Sequence, residues 1–318
     1  MRIFRHYNDI PEECRRAVVA VGNFDGVHRG HQALIAHARD LAKRSGAPLG
    51  VLAFEPHPQE FFRPGAECFR LTPFRTKARL IAAQGTDILY AFAFDAEMAK
   101  KTADQFVREV LIHGLGVRGV IVGADFQFGK GRIGNVALLS ELGRSLGFDL
   151  DVFAPVIAHD SQKISSTEIR DALKAGKPDL AAKLLGHWWT IEARVEQGDR
   201  RGRLLGFPTA NMPLDGYMKP AFGVYAVRAT IMEDDHPAGT HDGVANLGTR
   251  PMFEVPRPLL ETHLFDFSGD LYGTHLAVEL IAYLRREMKF DSVDALRTQI
   301  MKDAEAARAA LDRTLPRC

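Results

Sequence analysis

Two histidines at the start of an expected helix are the first candidates for chemistry in this chain. His28 and His31 lie three residues apart, so both imidazoles would face the same side of a first helical turn. Gly22 and Gly26 supply the backbone freedom of a tight turn, and Gly30 leaves room for a phosphate to come close. A helix N-terminus favours anions, and imidazole donors can stabilise the charge that develops on an attacked α-phosphate. The stretch therefore indicates a nucleoside triphosphate site.

Segment 163–170, with the sequence KISSTEIR, is the second candidate. Ser165, Ser166 and Thr167 are residue types that cap helix N-termini. Together with Lys163 they suit a departing pyrophosphate, whereas the segment alone also fits a capped surface helix.

Two loops add aromatic rings and one acid. EPHPQEFF carries Phe61 and Phe62, and GADFQFGKGR carries Asp125 and Phe128. Aimed at one sheet edge, the rings would form a stacking wall for a planar ligand, and the alternative is that each ring belongs to the core. Asp125 either accepts a hydrogen bond from a ligand or only ends its strand.

The string GRLLGFPTAN, residues 202–211, is the sharpest pattern of the second half. Thr209 and Asn211 alternate on an extended segment and would face the same way. A hydroxyl and an amide oxygen are neutral ligands suited to a hydrated Mg²⁺ that carries substrate phosphates, unless the segment is an ordinary turn. Arg203 lies in the glycine-bounded loop that ends at Gly206.

A general base for an alcohol is expected on a strand of the second half. The sequence ETHLFDF alternates, which places Glu261, His263 and Phe265 on one face. Glu261 could remove the proton of a hydroxyl, and Glu279 in VELIAYLR is a rival that spacing does not exclude. Either glutamate could instead face solvent.

The first half must position its candidates with alternating strands and helices. The expected strands are Val18–Val21, Gly50–Phe54, Ile88–Ala93, Gly119–Gly123 and Asp149–Phe153. The expected helices are His31–Ala42, Phe74–Gln84, Thr102–His113, Val136–Ser145 and Asp179–Leu185, with a further helix beginning within Gln162–Leu173. This order predicts a mostly parallel sheet with helices on both faces, whose ligands bind at the carboxyl ends of the strands.

From Trp188 the pattern changes to short β-type runs between Gly, Pro and Asp turns. These runs are Trp189–Val195, Gly223–Met232, Gly243–Leu247, Leu259–Phe267 and His275–Leu284. They predict an antiparallel sandwich or barrel, closed by a helix over Ser292–Leu311. We place the domain boundary at Gly186 and His187.

Composition narrows the class of protein. The chain has 318 residues, 46% hydrophobic residues and a net charge of +1, which fits two domains and argues against a nucleic-acid partner. The three cysteines form no pair or framework, and the first residues, MRIFRHYNDI, lack a signal-peptide core. No run is long enough to cross a membrane, so we expect a soluble cytoplasmic protein. The oligomeric state is left open.

Taken together, these strings resemble the bacterial bifunctional riboflavin kinase/FAD synthetase family. GNFDGVHRGH contains the HxGH pattern of the nucleotidyltransferase superfamily, and FEPHPQEFF, GADFQFGKGR and KISSTEIR follow it. The second half adds GRLLGFPTAN, GVYAV, NLGTRP, ETHLFDF and LYG. The matches keep their order over nearly the whole chain.

The resemblance implies a fold and two ATP-dependent reactions. Residues 1–186 would form an α/β nucleotidyltransferase domain, a Rossmann-like, doubly wound parallel sheet that transfers AMP from ATP to FMN. Residues 187–318 would form an antiparallel β-barrel riboflavin kinase domain with a C-terminal helix. Riboflavin, FMN and ATP would be substrates, Mg²⁺ the metal, and FAD and pyrophosphate the final products.

The resemblance also implies roles for single residues. His28 and His31 would be transition-state ligands, and Glu261 rather than Glu279 would be the kinase base. The remaining implied ligands are Gly22, Phe24, Asp25, Gly30, Lys163, Ser166, Thr167, Arg170, Arg203 and Gly206 for nucleotide, Phe62, Asp125, Phe128 and Arg285 for flavin, and Thr209 and Asn211 for metal.

Three departures and two rival functions remain. Lys163 stands where the family often has Arg, Asn135 replaces a common Asp, and Met252 follows Pro251 where Thr is usual. One rival is another HxGH adenylyltransferase that acts on a different phosphate ester. The other is a non-catalytic flavin-binding regulator, which could lose the candidate catalytic groups that this chain retains.

Overall fold

The computed structural model describes residues 1–154, 156, 164–198, 206–233, 236–250 and 257–314. They fold into two compact units. The first comprises Met1–Glu67 and Thr72–Ser165, and the second comprises Cys68–Leu71 and Ser166–Cys318. The short segment Cys68–Leu71 joins the second unit because Trp189 Nε1 donates to the Leu71 carbonyl at 2.8 Å.

The first unit is built on a six-stranded parallel sheet with the order β1-β4-β3-β2-β5-β6. Its strands are β1 (Arg2–Phe4), β2 (Val18–Val21), β3 (Leu49–Glu55), β4 (Ile88–Ala93), β5 (Gly119–Gly123) and β6 (Asp149–Phe153). Its helices are α1 (Arg29–Ser45), α2 (Pro58–Phe62), α3 (Phe74–Ala82), α4 (Ala96–Lys100), α5 (Ala103–Gln105, continued by the π-helical Phe106–Gly114) and α6 (Val136–Leu146).

The central strand β2 is buried on both sides, as expected for a doubly wound sheet. Val19 and Val21 pack into one apolar cluster, and Val18 and Ala20 pack into another on the opposite face. The chain order reverses between β2 and its neighbour β5, which makes the carboxyl end of β2 the switch point where ligands bind in such sheets. The predicted α/β architecture is confirmed.

Strand β1 and helix α2 are among the short elements that the sequence pattern did not predict. Strand β1 is only Arg2–Phe4 and is mostly exposed, so it has no apolar run to reveal it. Helix α2 lies inside the segment EPHPQEFF that was expected to be a loop. It forms because Pro58 is at its first position and the His57 side chain accepts a hydrogen bond from the Gln59 N–H at 3.1 Å.

The second unit contains a six-stranded antiparallel sheet with the order β7-β12-β9-β10-β11-β8. Its strands are β7 (Thr190–Arg194), β8 (Ala210–Pro213), β9 (Gly223–Glu233), β10 (His236–Arg250), β11 (Arg257–Leu264) and β12 (His275–Arg285). A β-bridge between Glu196 and Asn211, with N–H to carbonyl at 2.9 Å, connects the two edges, so the sheet forms a nearly closed barrel. The predicted barrel is confirmed.

Among the described residues of this unit there are three helices, α7 (Ser166–Lys174), α8 (Pro178–Leu185) and α9 (Val293–Asp312). The sequence pattern grouped the first two with the parallel sheet, but Ile169, Leu173 and Leu185 lie in the same core cluster as Trp189 of the barrel. The expectation that the two activities divide after Gly186 stays a prediction. No helix in the described part of the chain has the length and hydropathy needed to cross a membrane.

Candidate functional site

His28 and His31 lie together at the start of α1. His28 is the N-cap, and its Nδ1 accepts a hydrogen bond from the His31 backbone N–H at 3.3 Å. A neutral imidazole that accepts at Nδ1 carries its hydrogen on Nε2, which fixes His28 as a donor through that atom. The two rings stack with centroids 3.6 Å apart, so the predicted pairing on one side of the helix start is present.

The surroundings of His31 keep its imidazole neutral. Its Nδ1 is buried and has no hydrogen-bond partner among the described residues. Burial, and then the charges of His28 and Lys77, hold the pKa of His31 well below its ordinary value. A buried, unsatisfied ring nitrogen is a group that an incoming ligand can satisfy.

The loop before α1 is held in unusual backbone geometry. Phe24 and Val27 adopt φ angles of 51° and 42°, and both side chains are fully buried. Asp25 is buried and accepts a hydrogen bond from the Thr72 N–H at 3.1 Å, while Thr72 Oγ1 accepts one from the Gly26 N–H at 3.0 Å. These hydrogen bonds attach the loop to the segment before α3. Asp25 therefore has a structural role in addition to the predicted contact with nucleotide.

Two glycines in this region make room for neighbouring rings. A Cβ on Gly22 would lie 3.3 Å from the Phe24 ring. A Cβ on Gly30 would lie 3.1 Å from Cε1 of His28 and 3.7 Å from the carbonyl oxygen of Ile164. The sequence suggested that Gly30 makes room for a phosphate, and in the structure it makes room first for the His28 imidazole.

The aromatic residues of the two loops have different surroundings. Phe62 is 63% exposed and makes edge-to-face contacts with Phe61 and Phe94 at centroid distances of 5.2 and 5.7 Å. Phe128 is buried in the core and stacks on Phe126 at 5.4 Å. Asp125 follows β5 and is exposed to solvent. Of the predicted stacking wall, Phe62 is the ring that is open to a ligand.

The segment KISSTEIR is only partly described, because Lys163 lies outside the described residues. Ser166 and Thr167 form the first turn of α7 in the second unit. Arg170 donates from Nε to the Phe69 carbonyl at 2.7 Å, and its guanidinium lies 5.1 Å from the Phe69 ring. The structure thus gives Arg170 a partner in its own unit.

A cavity of about 980 Å³ in the second unit collects the candidate kinase residues. Thr209, Asn211, Glu261 and Arg285 all line it. Strand register explains why: Asn211 pairs with Glu261, Glu261 with Asn246, Asn246 with Val224, and Val224 with Arg285, so one row of residues crosses five strands.

The same register separates the two rival glutamates. Glu279 lies on β12, where Thr190 of β7 and Arg228 of β9 are its cross-strand neighbours, and it is not among the lining residues of the cavity. Glu261 lines the cavity and is half-buried. Of the two, Glu261 is the carboxylate placed to meet a substrate in this cavity.

Two further residues of the cavity were missed as functional candidates. Asn246, from NLGTRP, stands directly opposite Glu261 and lines the cavity. His263 Nδ1 donates to the Pro208 carbonyl at 2.8 Å, which fixes the backbone just before Thr209. The alternation of ETHLFDF pointed to the face that His263 shares with Glu261, whereas the position of Asn246 depends on strand register.

Arg285 is part of an ion pair at the wall of this cavity. Its Nε and Nη2 donate to both carboxylate oxygens of Asp303 on α9 at 2.6 to 3.1 Å, and Gln299 donates to the same carboxylate at 2.9 Å. The predicted flavin ligand thus also attaches α9 to the barrel.

The donor set fits a magnesium ion that arrives with phosphates. Among the described residues, no group of three or more His, Cys, Asp or Glu side chains is arranged to hold a metal. Thr209 and Asn211 offer neutral oxygens, and Asn211 pairs with Glu261, so phosphates and water would supply the other ligands. Arg203 of the preceding loop lies outside the described residues, and Gly206 is exposed with a φ of 86°.

Comparison with known proteins finds one family match over each half of the chain. The family profile described as FAD synthetase matches residues 10–168, and the profile described as riboflavin kinase matches residues 185–311. A bifunctional riboflavin kinase/FMN adenylyltransferase from Escherichia coli is 40% identical over 318 residues, with 99% of this chain and 100% of the relative covered. A protein of the same description from Pseudomonas fluorescens is 41% identical over 310 residues, with 97% of each chain covered.

The fold is also shared with a solved structure. A crystal structure described as a macrolide-efflux protein from Streptococcus pneumoniae matches with a TM-score of 0.84 and 30% sequence identity, and the match covers 96% of this chain and 98% of that one. Similarity to the curated relatives therefore extends over the full length, through both units. The chain belongs to the bifunctional riboflavin kinase/FMN adenylyltransferase family.

Proposed function

We propose that the two reactions of the family divide between the two sites described above. The barrel cavity phosphorylates riboflavin to FMN, and the His28/His31 loop transfers AMP from ATP to FMN, which gives FAD and pyrophosphate. The observation that supports this division most directly is the pairing of Asn211 with Glu261 inside the barrel cavity, in a different unit from the two histidines.

In the kinase step, Glu261 is the general base. It takes the proton of the 5′-hydroxyl of riboflavin as that oxygen attacks the γ-phosphate of ATP, and ADP leaves. Thr209 and Asn211 would hold a Mg²⁺ that arrives with ATP, and that ion would supply positive charge to neutralise the phosphates. Asn246, directly opposite Glu261, can donate an amide N–H to the carboxylate or to the substrate hydroxyl. His263 keeps Thr209 in place through the Pro208 carbonyl.

In the adenylyl-transfer step, the phosphate of FMN is already a nucleophile and needs no base. It attacks the α-phosphate of ATP, and the bond from that phosphorus to the pyrophosphate oxygen breaks. Donors from His28 and His31 stabilise the charge on the non-bridging oxygens, so catalysis is positioning and electrostatics. Lys163, Ser166, Thr167 and Arg170 remain proposed phosphate ligands.

The flavin contacts are also part of the proposal. Phe62 is exposed, rigid and next to two other rings, which suits stacking on an isoalloxazine. Asp125 follows β5 at the same sheet edge and can accept a hydrogen bond. Phe128 is buried and supports the flavin-binding loop from the core. Arg285 forms part of the wall of the barrel cavity.

A product assay tests the division. Purified protein is mixed with riboflavin and Mg²⁺-ATP, and flavins are separated over time for the wild type, His28→Ala and Glu261→Gln. We expect the wild type to make FMN and then FAD, His28→Ala to stop at FMN, and Glu261→Gln to leave riboflavin unchanged yet convert added FMN. His28→Ala blocking both steps, with the protein folded, would contradict the division.

A further inference from the structure

A buried lysine at the sheet edge of the first unit has no part in the roles assigned above. Lys77 is the fourth residue of α3, and its side chain is 2% exposed. Within the described part of the chain its ionic partner is Glu55, whose Oε2 lies 3.4 Å from Nζ. Glu55 is the last residue of β3, so the pair lies where the parallel strands end and where ligands bind.

A second buried lysine of the same unit shows how a structural lysine is compensated. Nζ of Lys101 contacts the carboxylates of Glu109 and Glu97 and lies 5.6 Å from the Tyr7 ring. Lys77 has one longer ion pair in place of these three contacts. Because a buried ammonium is costly unless it is well paired, the weaker pairing of Lys77 indicates a use for its charge.

Helix α3 contributes to the same apolar cluster as the loop that carries the two histidines. Ala78, the neighbour of Lys77, lies in the same apolar cluster as Phe24 and Val27 of that loop. Burial is the main cause of the lowered pKa of His31, His28 is the next, and the charge of Lys77 adds to both. The charge of Lys77 therefore acts at the two imidazoles to which we assign the phosphates of the two substrates.

We propose that Lys77 is a positioning residue for adenylyl transfer, whose buried ammonium is a fixed positive charge beside the His28/His31 pair. It draws the phosphates of ATP and FMN toward the two imidazoles and keeps His31 neutral until they bind. Such a charge needs no reorganisation during the reaction, because the protein already holds it in place. The proposal rests on the assignment of adenylyl transfer to the two histidines.

The pH dependence follows from the groups around His31. His28 stacks on it from the same helix start, and Lys77 acts from α3, with Glu55 of β3 as its partner. Asp25 lies in the loop before the helix. Removing the lysine charge would reverse part of the lowering of the His31 pKa, because burial and His28 remain, so the acidic limb of the rate profile would move to higher pH.

The test uses the full chain and follows both reactions. Lys77→Met and Lys77→Gln remove the charge, Lys77→Arg keeps it, and Lys101→Met is the matched control for loss of a buried lysine. We expect both neutral variants to lower kcat/KM for ATP in FAD formation from added FMN by at least 20-fold and to shift the acidic limb upward. Lys77→Arg should stay within about fivefold of the wild type, and riboflavin phosphorylation within twofold.

Several results would overturn the inference. One is wild-type FAD formation by both neutral variants. Another is that Lys101→Met loses as much FAD formation as the neutral Lys77 variants, while the acidic limb does not move and the unfolding temperature falls equally in all of them. That result would show that Lys77 has only a structural part. His28→Ala tests the proposed site independently of Lys77. If that variant forms FAD at the wild-type rate, adenylyl transfer does not take place at the two histidines, and the inference about Lys77 fails with it.

Discussion

The ion pair between Arg285 and Asp303 should be a main anchor of the C-terminal helix. We predict that Asp303→Ala lowers the free energy of unfolding of the second unit by about 3 kcal/mol. Both side chains are largely buried, 19% and 8% exposed, and the pair has two-point geometry, with Gln299 as a further donor. Removal of the carboxylate leaves the Arg285 guanidinium largely buried without its ionic partner. Because that guanidinium keeps some contact with water, the loss in free energy of unfolding should be at the lower end of the range for buried ion pairs.

The assay can be confined to the second unit. The sequence has two tryptophans, Trp188 and Trp189, and both belong to that unit. Trp189 is in the barrel core, and Trp188 packs on the cluster that includes the last turns of α9. Tryptophan fluorescence during denaturant titration therefore reports this unit, and a double-mutant cycle with Arg285→Ala should give a coupling energy of about 2 kcal/mol.

An exposed pair on the same helix is the control. Arg308 donates to Asp266 at 3.0 Å, but the two side chains are 51% and 80% exposed. Asp266→Asn should therefore cost less than about 1 kcal/mol. The reasoning is refuted if Asp303→Ala costs no more than Asp266→Asn, or if the coupling energy of the buried pair is below about 0.5 kcal/mol.

Three other predictions follow from single contacts. Gly30→Ala should slow FAD formation from FMN at least tenfold and leave riboflavin phosphorylation unchanged, since its Cβ would displace the His28 ring; product assays of both steps check this. The pKa of His31 is lowered in the folded protein, so His31 of the unfolded chain binds its proton at higher pH. The free energy of unfolding should therefore decrease by up to about 1.4 kcal/mol for each pH unit below about pH 6.5. Calorimetry of the wild type against His31→Asn measures that slope. His263→Ala should raise KM for Mg²⁺-ATP about threefold to tenfold in riboflavin phosphorylation, because the hydrogen bond to Pro208 is lost.

The sequence predicted those elements whose pattern is local. The apolar run Val18–Val21 followed by a glycine turn predicted β2, and the stripe of Leu34, Ile35 and Ala38 predicted α1. His28 and His31 belong to one helical turn, so their proximity also follows from spacing alone. For these residues local chemistry and fold agree, and the prediction needed no knowledge of tertiary contacts.

Features that depend on tertiary packing were not predictable in the same way. The row from Asn211 through Glu261 to Asn246 exists only once three strands have their register. The burial of Phe128 depends on packing against other rings of the core. The sequence analysis did not single out Lys77, because nothing in its sequence neighbourhood shows which face of α3 is covered.

We propose that the two reactions take place at separate sites, which predicts that FMN made by one molecule can be used by another. The most direct test mixes His28→Ala and Glu261→Gln in one tube with riboflavin and Mg²⁺-ATP and follows FAD. Neither variant alone should make FAD from riboflavin, whereas the mixture should make it after a lag in which FMN accumulates. A mixture that makes no FAD, although each variant alone still performs its remaining step, would contradict the claim.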